Sequence, residues 1–515
     1  MAESRVQKTL MNAKVNMIFY FLNLAMSFFS RKIFLDALGA DFFGLTSTLQ
    51  SFLGFLSLVE LGIGQSIGYA LYKPLFEKDY KKINEIVSVL GYLYYIVGFV
   101  ILGCGIAISL FFPIIFEKEN FSLILIYFIF YSFLSSILLS YFVNYRQSLL
   151  GADQRNYIVN AYTQATSLVC YLAQILVIYF TSNPYIWTLL FLVSNIIGSF
   201  IINWKIRQQY PWLHAEIRIG KEKYKEYPEI IKKTKQLFVH KIATFAQFQL
   251  QPILMFKFAS LNAVGRYENY YIVTSKTTSF VTNVLNGGVA SVGNLIAEGN
   301  KQNVIKVYWE LFALRFFIAG MLAFGFWHLT EPFITCWLGE EYIMGKMLLF
   351  LIIVNTFIIQ IRNTTDSFIT GYGLFRDVWA PITEVVISVV VAIVGGSLWG
   401  LEGVLLGTIV SMALIVGIWK PYFLFTQGIK ISIWIYWGNF ARFFACFAFA
   451  FFVTHKAIAF IALDPATSFL IWALYALIVM IIFAIVYFVM LYFFTRGTKD
   501  IYSRFATMIS AKLKK

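Results

Sequence analysis

The residues with the widest chemical reach in this 515-residue sequence are charges set inside long apolar runs. Lys276 and Arg362 are such cations, with Arg31 at the outer end of the first run and Arg266 ten residues before Lys276; Glu60 and Asp366 are such acids. A fixed cation in apolar surroundings suits an anionic, phosphate-like ligand, Arg through its planar fork of donors and Lys as a compact charge. A carboxylate in the same setting suits H+ or Na+ coupling, or gating. Arg362 has two readings, because Asp366 follows at the spacing of a helical ion pair. Lys276 has no carboxylate close by on its own helix, although Glu60 can reach it from another element. Arg31 binds an anion or caps an interface, and Arg315 faces the same space or snorkels to a polar boundary.

The other reactive residue types form no catalytic set. Cys104, Cys170, Cys336 and Cys446 lack redox or metal-ligand spacing, and the four histidines make no zinc motif. No phosphate-binding glycine loop, dinucleotide fingerprint or Ser-His-Asp order stands in the chain. The expectation is binding rather than catalysis, with no enzyme activity, no metal and no organic cofactor.

Two polar stripes accompany the charges. Asn16, Tyr20, Asn23, Ser27 and Arg31 recur at steps of three and four, one face of a helix. His240, Thr244, Gln247 and Gln251 repeat the pattern, and Pro252 follows, where a kink is expected. Such faces turn to other helices or line a hydrated cleft. Asn23, Gln247 and Gln251 are therefore candidate ligand contacts beside the cations.

The chain that must position these residues is 59% apolar and 13% charged, where soluble domains carry about 25% charge. A hydrocarbon layer about 30 Å thick takes roughly 20 residues per helix, and lipid tolerates no unpaired backbone. The fold class is an all-α membrane protein. Gly39, Pro113, Gly151, Pro184, Pro332, Gly371, Gly400 and Pro465 help divide it into about 14 transmembrane helices. These run over 15–35, 41–71, 84–112, 120–147, 157–180, 184–204, 236–258, 267–297, 306–328, 345–370, 379–397, 401–424, 437–458 and 467–494.

Formal net charge is +15. With a cytoplasmic N-terminus, 31 of 41 Lys and Arg fall on the inside, seven outside and three within spans. The positive-inside rule then places both termini in the cytoplasm and accounts for the charge without nucleic acid. The first apolar run reads as an uncleaved helix. Ile501, Phe505, Met508, Ile509 and Leu513 share a helical face near Lys512, Lys514 and Lys515, which suits a tail helix on an anionic membrane surface or a solvated tail.

An internal repeat has an offset of about 221 residues. Phe43-Gly44-Leu45 matches Val264-Gly265-Arg266. Phe76-Glu77-Lys78-Asp79 before Lys81-Lys82-Ile83 matches Ala297-Glu298-Gly299-Asn300 before Gln302-Asn303-Val304. Leu150-Gly151 with Arg155 matches Thr370-Gly371 with Arg376. Six spans per repeat predict two parallel six-helix lobes related by an axis along the membrane normal. The lobes are 1–205 (TM1–6) and 236–426 (TM7–12), joined by a basic linker, 206–235, and followed by TM13–14 and a basic tail, 427–515.

These residues are similar to those of a known family. Ser30-Arg31-Lys32-Ile33-Phe34-Leu35, Leu38-Gly39-Ala40-Asp41-Phe42-Phe43-Gly44-Leu45, Glu60-Leu61-Gly62-Ile63-Gly64 and Phe76-Glu77-Lys78-Asp79 resemble the Wzx-type polysaccharide transporter family. Those O-antigen and capsule flippases belong to the multidrug/oligosaccharidyl-lipid/polysaccharide exporter superfamily. The resemblance implies translocation of undecaprenyl-pyrophosphate-linked oligosaccharide across the cytoplasmic (inner) membrane. It implies lipid-linked oligosaccharide, membrane lipids and polysaccharide polymerase machinery as partners. It also implies a V-shaped fold with a cleft lined by spans 1, 2, 7 and 8, where Arg31 and Lys276 sit similarly to basic residues of related lipid II flippases. In those relatives the last two helices form a lipid groove; composition alone allows simple padding here. Other readings stay open. A multidrug or cation antiporter of the same superfamily usually has twelve spans and a carboxylate-rich cleft. A membrane-embedded glycan polymerase needs a sizeable outside loop, and a structural scaffold has no use for buried charges.

Overall fold

The computed structural model describes residues 5–60, 63–285, 292, 295–296, 298–374, 376–377 and 379–513. Side chains are described there except at 5–10, 13, 59, 65, 69, 233, 235–248, 283–285, 505 and 508–513. Every regular element among these residues is helical, the form in which backbone groups satisfy one another within lipid. Two compact units form, Met1–Gly265 and Arg266–Lys515.

The first unit contains α1 (Arg5–Leu56), α2 (Ile63–Glu77), α3 (Tyr80–Ser109), the short α4 (Phe112–Ile115), α5 (Leu123–Phe142) and α6 (Gln147–Ala152). It continues with α7 (Asn156–Thr181), α8 (Pro184–Gln209), α9 (Ile217–Lys223), α10 (Pro228–Phe258) and the first turn of α11 (Leu261–Leu285). The second unit contains the rest of α11, α12 (Lys301–Trp337), α13 (Lys346–Gly371), α14 (Trp379–Met412) and the one-turn α15 (Lys420–Phe423). It ends with α16 (Ile433–Ile458), α17 (Phe469–Phe494) and α18 (Arg496–Leu513).

Ten stretches among the described residues are long and apolar enough to cross a membrane. Two of them hold two spans each. Gly39 (φ 79°) breaks α1 and Gly400 (φ 60°) breaks α14, both in backbone regions that a Cβ disfavours. α10 and α11 add two more helices of spanning length, 31 and 25 residues, whose polar faces lower their hydropathy. The fourteen expected spans thus each find a helix or helix segment. The multi-pass membrane architecture follows from these lengths.

Two joints differ from expectation. The span predicted over 41–71 is interrupted: α1 ends at Leu56 and a 3₁₀ turn, Ser57–Glu60, precedes α2. Pro332 does not end its helix, which runs on to Trp337 and stops before Gly339 (φ 118°). A proline disrupts the bonding of carbonyls one turn back, and here Trp472 Nε1 donates to the Leu329 carbonyl at 3.0 Å. α10 likewise continues through Pro252 without a break.

The repeat is visible in local detail. Asp79 caps α3 by accepting from Lys82 N at 3.0 Å, and Asn300 caps α12 by accepting from Asn303 N at 3.1 Å. The residues before the caps, Lys78 and Gly299, share a positive φ of 57° and 74°.

Residues 210–227 are strapped to the first unit. Asn84 Oδ1 accepts from His214 N, Ser88 Oγ accepts from Glu216 N, and Tyr145 and Arg146 both donate to the Ala215 carbonyl. Tyr210 donates to Asp153 and Tyr227 to Glu85, each at 2.8 Å. Burial, then the adjacent carboxylate, pushes both phenols well above the ordinary tyrosine range, so both remain donors. Gly220 lies so close to the Ser88 carbonyl that a methyl group there would collide.

In the second unit an aromatic core joins α12 to α16 and α17. Phe324 and Phe483 stack at 4.0 Å, and Tyr487 donates to the Phe316 carbonyl at 3.1 Å. α17 buries only Tyr475, Val479, Phe483, Tyr487 and Leu491, one stripe at four-residue steps. Packing and dispersion, not water exclusion, hold such helices in lipid. α18 docks on α12, where Gly497 meets the Trp309 carbonyl and Arg504 pairs with Glu310 at 2.8 Å. The side chains of Phe505, Met508, Ile509 and Leu513, expected on the membrane face of the tail, lie outside the described residues. All four cysteines are free.

Candidate functional site

The first unit brings Arg31 to a close helix crossing. A methyl group at Gly44 would strike the Leu261 carbonyl, and one at Gly265 would strike the Ala40 carbonyl. Asn262 Nδ2 approaches Asp41 Oδ2 at 3.4 Å. Asp41 and Asn262 stand 221 residues apart, as do Gly44 and Gly265 and as do Ala40 and Leu261, so repeat-equivalent residues meet at this crossing. Arg31 is 8% exposed, donates from Nη2 to the Gly265 carbonyl at 3.1 Å, and lies 4.2 Å above the Phe43 ring. It thus ties α1 to the start of α11 by a hydrogen bond and a cation–π contact.

Glu60 ends the 3₁₀ turn between α1 and α2. Tyr94 of α3 donates to its Oε1 at 2.6 Å and Tyr141 of α5 to its Oε2 at 2.9 Å. The two rings meet edge to face at 5.4 Å. Both oxygens of the Glu60 carboxylate are thus held by phenol donors at the interruption between α1 and α2. Neither tyrosine was selected from sequence, because a single Tyr in an apolar run ordinarily reads as core.

The polar stripe of α1 faces α7. Asn12 donates to the Gln154 carbonyl at 2.8 Å and accepts from Tyr157 N at 2.6 Å; Asn160 donates to Asn16 Oδ1 at 2.6 Å. Asn23 donates to Gln164 Oε1 at 2.8 Å. Helix-to-helix bonding therefore occupies much of this face. On α10, Gln251 is half-buried and its Nε2 has no hydrogen-bond partner among the described residues. The side chains of Gln247, His240 and Thr244 lie outside the described residues.

The second unit holds a four-charge network. Asp366 on α13 takes Arg362 Nε on one oxygen and Lys420 Nζ on the other, each at 2.7 Å. Arg362 Nη1 stands 3.7 Å from Glu384 of α14. Two cations balance two anions, which lowers the penalty of removing them from water. Lys420 is not among the residues singled out from sequence; it sits on α15 between two π-helical stretches, Ala413–Trp419 and Leu424–Ile429. Such windings recur where a helix must place a functional group off the regular register. Glu384 was not singled out, because its neighbours Pro381, Ile382 and Thr383 mark no motif.

No protein-family model and no curated protein matches this chain. Solved structures do. A lipid II flippase, MurJ, in an inward closed conformation aligns with a TM-score of 0.60 at 16% identity, over 93% of this chain and 99% of that one. An inward-facing multidrug resistance MATE family transporter of the MOP superfamily gives 0.58 at 14% identity, over 80% and 97%. An outward-facing one gives 0.52 at 13%, over 83% and 97%.

The chain has the fold of MOP-superfamily transporters. Within this MOP fold the candidate residues fall into separate groups. Arg31, Asn23, Glu60 and Gln251 belong to the first unit, and Arg266, Lys276, Arg362 and Asp366 to the second. Arg266 donates to the Ile343 carbonyl at 2.6 Å, while its buried Nε has no hydrogen-bond partner among the described residues. Lys276 is half-buried on α11. Arg315 is 8% exposed, with Nη1 3.4 Å from Gln360 Oε1, so it stays within the core rather than snorkelling.

Proposed function

We propose that this chain is a flippase that moves undecaprenyl-pyrophosphate-linked oligosaccharide repeat units across the cytoplasmic membrane by alternating access of two six-helix lobes. The polysaccharide would be an O-antigen or capsule. Arg31 and Lys276, with Arg266 and Arg362, would meet the pyrophosphate; Gln247, Gln251 and Asn23 would meet the sugar. Glu60 and Asp366 would couple or gate the cycle. The lobes would be 1–205 and 236–426, and both termini would be cytoplasmic.

The observation that carries this reading is coverage. The likeness to the lipid II flippase extends over 93% of the chain, against 80% and 83% for the two MATE transporters. A fourteen-span chain has two helices more than a twelve-span antiporter. Cations in apolar helices, suited to a phosphate, support the same reading.

A second reading has its own support. Glu60, bracketed by Tyr94 and Tyr141, suits the coupling ion of a multidrug or cation antiporter. Liposomes carrying the purified chain separate the two. Protected transfer of labelled lipid-linked sugars of defined structure is expected for the flippase. Extrusion of organic cations without sugar transfer would replace it with the antiporter. In cells, the flippase reading expects loss of surface polysaccharide and accumulation of inward-facing precursor.

A further inference from the structure

The four histidines form no motif in the sequence, yet two of them meet in the fold. His328 of α12 and His455 of α16, 127 residues apart, approach through Nε2 and Nδ1 at 3.4 Å. Their ring centroids lie 5.2 Å apart and the ring planes differ by 32°. The approach is bent. A hydrogen bond between two rings prefers a straight path, which at this nitrogen separation would set the centroids about 5.7 Å apart. Two ring nitrogens that share one tetrahedral ion, each at roughly 2.0–2.1 Å, stand about 3.3 Å apart with their centroids about 5.2 Å apart. The observed pair fits the second geometry. An aromatic frame fixes the rings: Phe324 lies 4.6 Å from the His328 ring, and Phe451 lies 6.0 Å from His328 and 6.4 Å from His455. Phe324 is itself stacked on Phe483. His328 is half-buried and His455 is exposed.

We propose that His328 and His455 form a binding site for a divalent transition-metal ion, Cu2+, Ni2+ or Zn2+, which staples the end of α16 to α12. Imidazole nitrogen suits these ions, whereas Mg2+ and Ca2+ take oxygen. Each neutral ring offers one lone pair to the shared point when its other nitrogen carries the proton. Cu2+ binds such nitrogen sites most tightly of the three. Among the described residues no third His, Cys, Asp or Glu joins the pair, so water, admitted beside the exposed His455, completes the coordination. Lys346 of α13 sets a positive field at His328, but its ammonium is paired with Glu331 and lies 5.4 Å from the Trp327 ring, which balances it. The ion adds a directed bond to the ring contacts between the two helices, such as Phe324 with Phe451.

The test uses the full-length protein, carrying no histidine tag and stripped with a chelator, in bilayer discs. Cu2+ is titrated in and followed by melting temperature and by electron paramagnetic resonance, in which ligating imidazole nitrogens split the copper signal. The expected result is a copper signal split by two nitrogens together with a raised melting temperature. Ni2+ and Zn2+ should raise the melting temperature as well, and Mg2+ should leave it unchanged. His455→Gln is the decisive variant, because that side chain is exposed and the metal-free melting temperature should match wild type. Copper affinity is expected to fall about tenfold in His455→Gln, and His328→Gln should show the same loss. His214 and His240 stay in both variants, so binding elsewhere on the chain is subtracted. Unchanged copper affinity in His455→Gln, a signal split by a single nitrogen in the unsubstituted protein, or no bound copper overturns the proposal. Because no transport is measured, the outcome is independent of the translocation reading.

Discussion

Gly44 and Gly265 face each other across one helix crossing, each with room for a hydrogen atom only: the first against the carbonyl of Leu261, the second against that of Ala40. Gly44→Val forces a side chain into backbone and is expected to destabilise by about 1–3 kcal/mol, read as a lower melting temperature of the purified protein. Gly68→Ala, where a Cβ meets nothing within 4 Å, is the control and should be silent. If the crossing must part during transport, a short crosslink between cysteines at positions 41 and 262 stops sugar transfer, and cleaving it restores the activity.

Lys276→Ala is expected to abolish transport while leaving the melting temperature near wild type, since a half-buried lysine contributes little to the core. Arg31→Ala differs. It loses the Gly265 bond and the Phe43 contact, so both stability and transport should fall. Normal sugar transfer by Lys276→Ala would remove that residue from the site.

The Arg362–Asp366–Lys420 network calls for a double-mutant cycle. Asp366→Ala leaves two half-buried cations without their shared partner and should destabilise by about 1–3 kcal/mol. Adding Lys420→Met is expected to recover part of that loss, because the pair is strongly coupled. Strict additivity of the two melting shifts would contradict the geometry.

Tyr94→Phe and Tyr141→Phe each deprive Glu60 of one donor. Each is expected to destabilise by about 1–3 kcal/mol, with the double variant off additivity. Glu60→Gln keeps acceptors and donors for the phenols while removing the charge, so the fold survives. If Glu60 couples an ion, transport by Glu60→Gln no longer responds to an imposed pH or sodium gradient.

The fold was legible where composition and glycine carry the information. Gly39 and Gly400 stand at the breaks because long apolar runs need somewhere to turn, and only glycine takes those φ values cheaply. The repeat offset is borne out by the caps Asp79 and Asn300 and by the paired approaches around Gly44 and Gly265. What sequence did not disclose depends on partners remote in the chain. Tyr94 and Tyr141 become notable only through Glu60. Lys420 becomes notable only through Asp366, which it meets from between two π-helical stretches. The α1 stripe is periodic whether it faces water or the amides of α7, because periodicity specifies a face and not what lies opposite.

Glu310 is 3% exposed, and the group that balances it comes from Arg504, nearly two hundred residues later. Until α18 docks, Glu310 therefore lacks the cation that balances it. A product truncated before Arg504 loses that pair, so the last residues of the chain complete the charge balance of a helix that begins at Lys301.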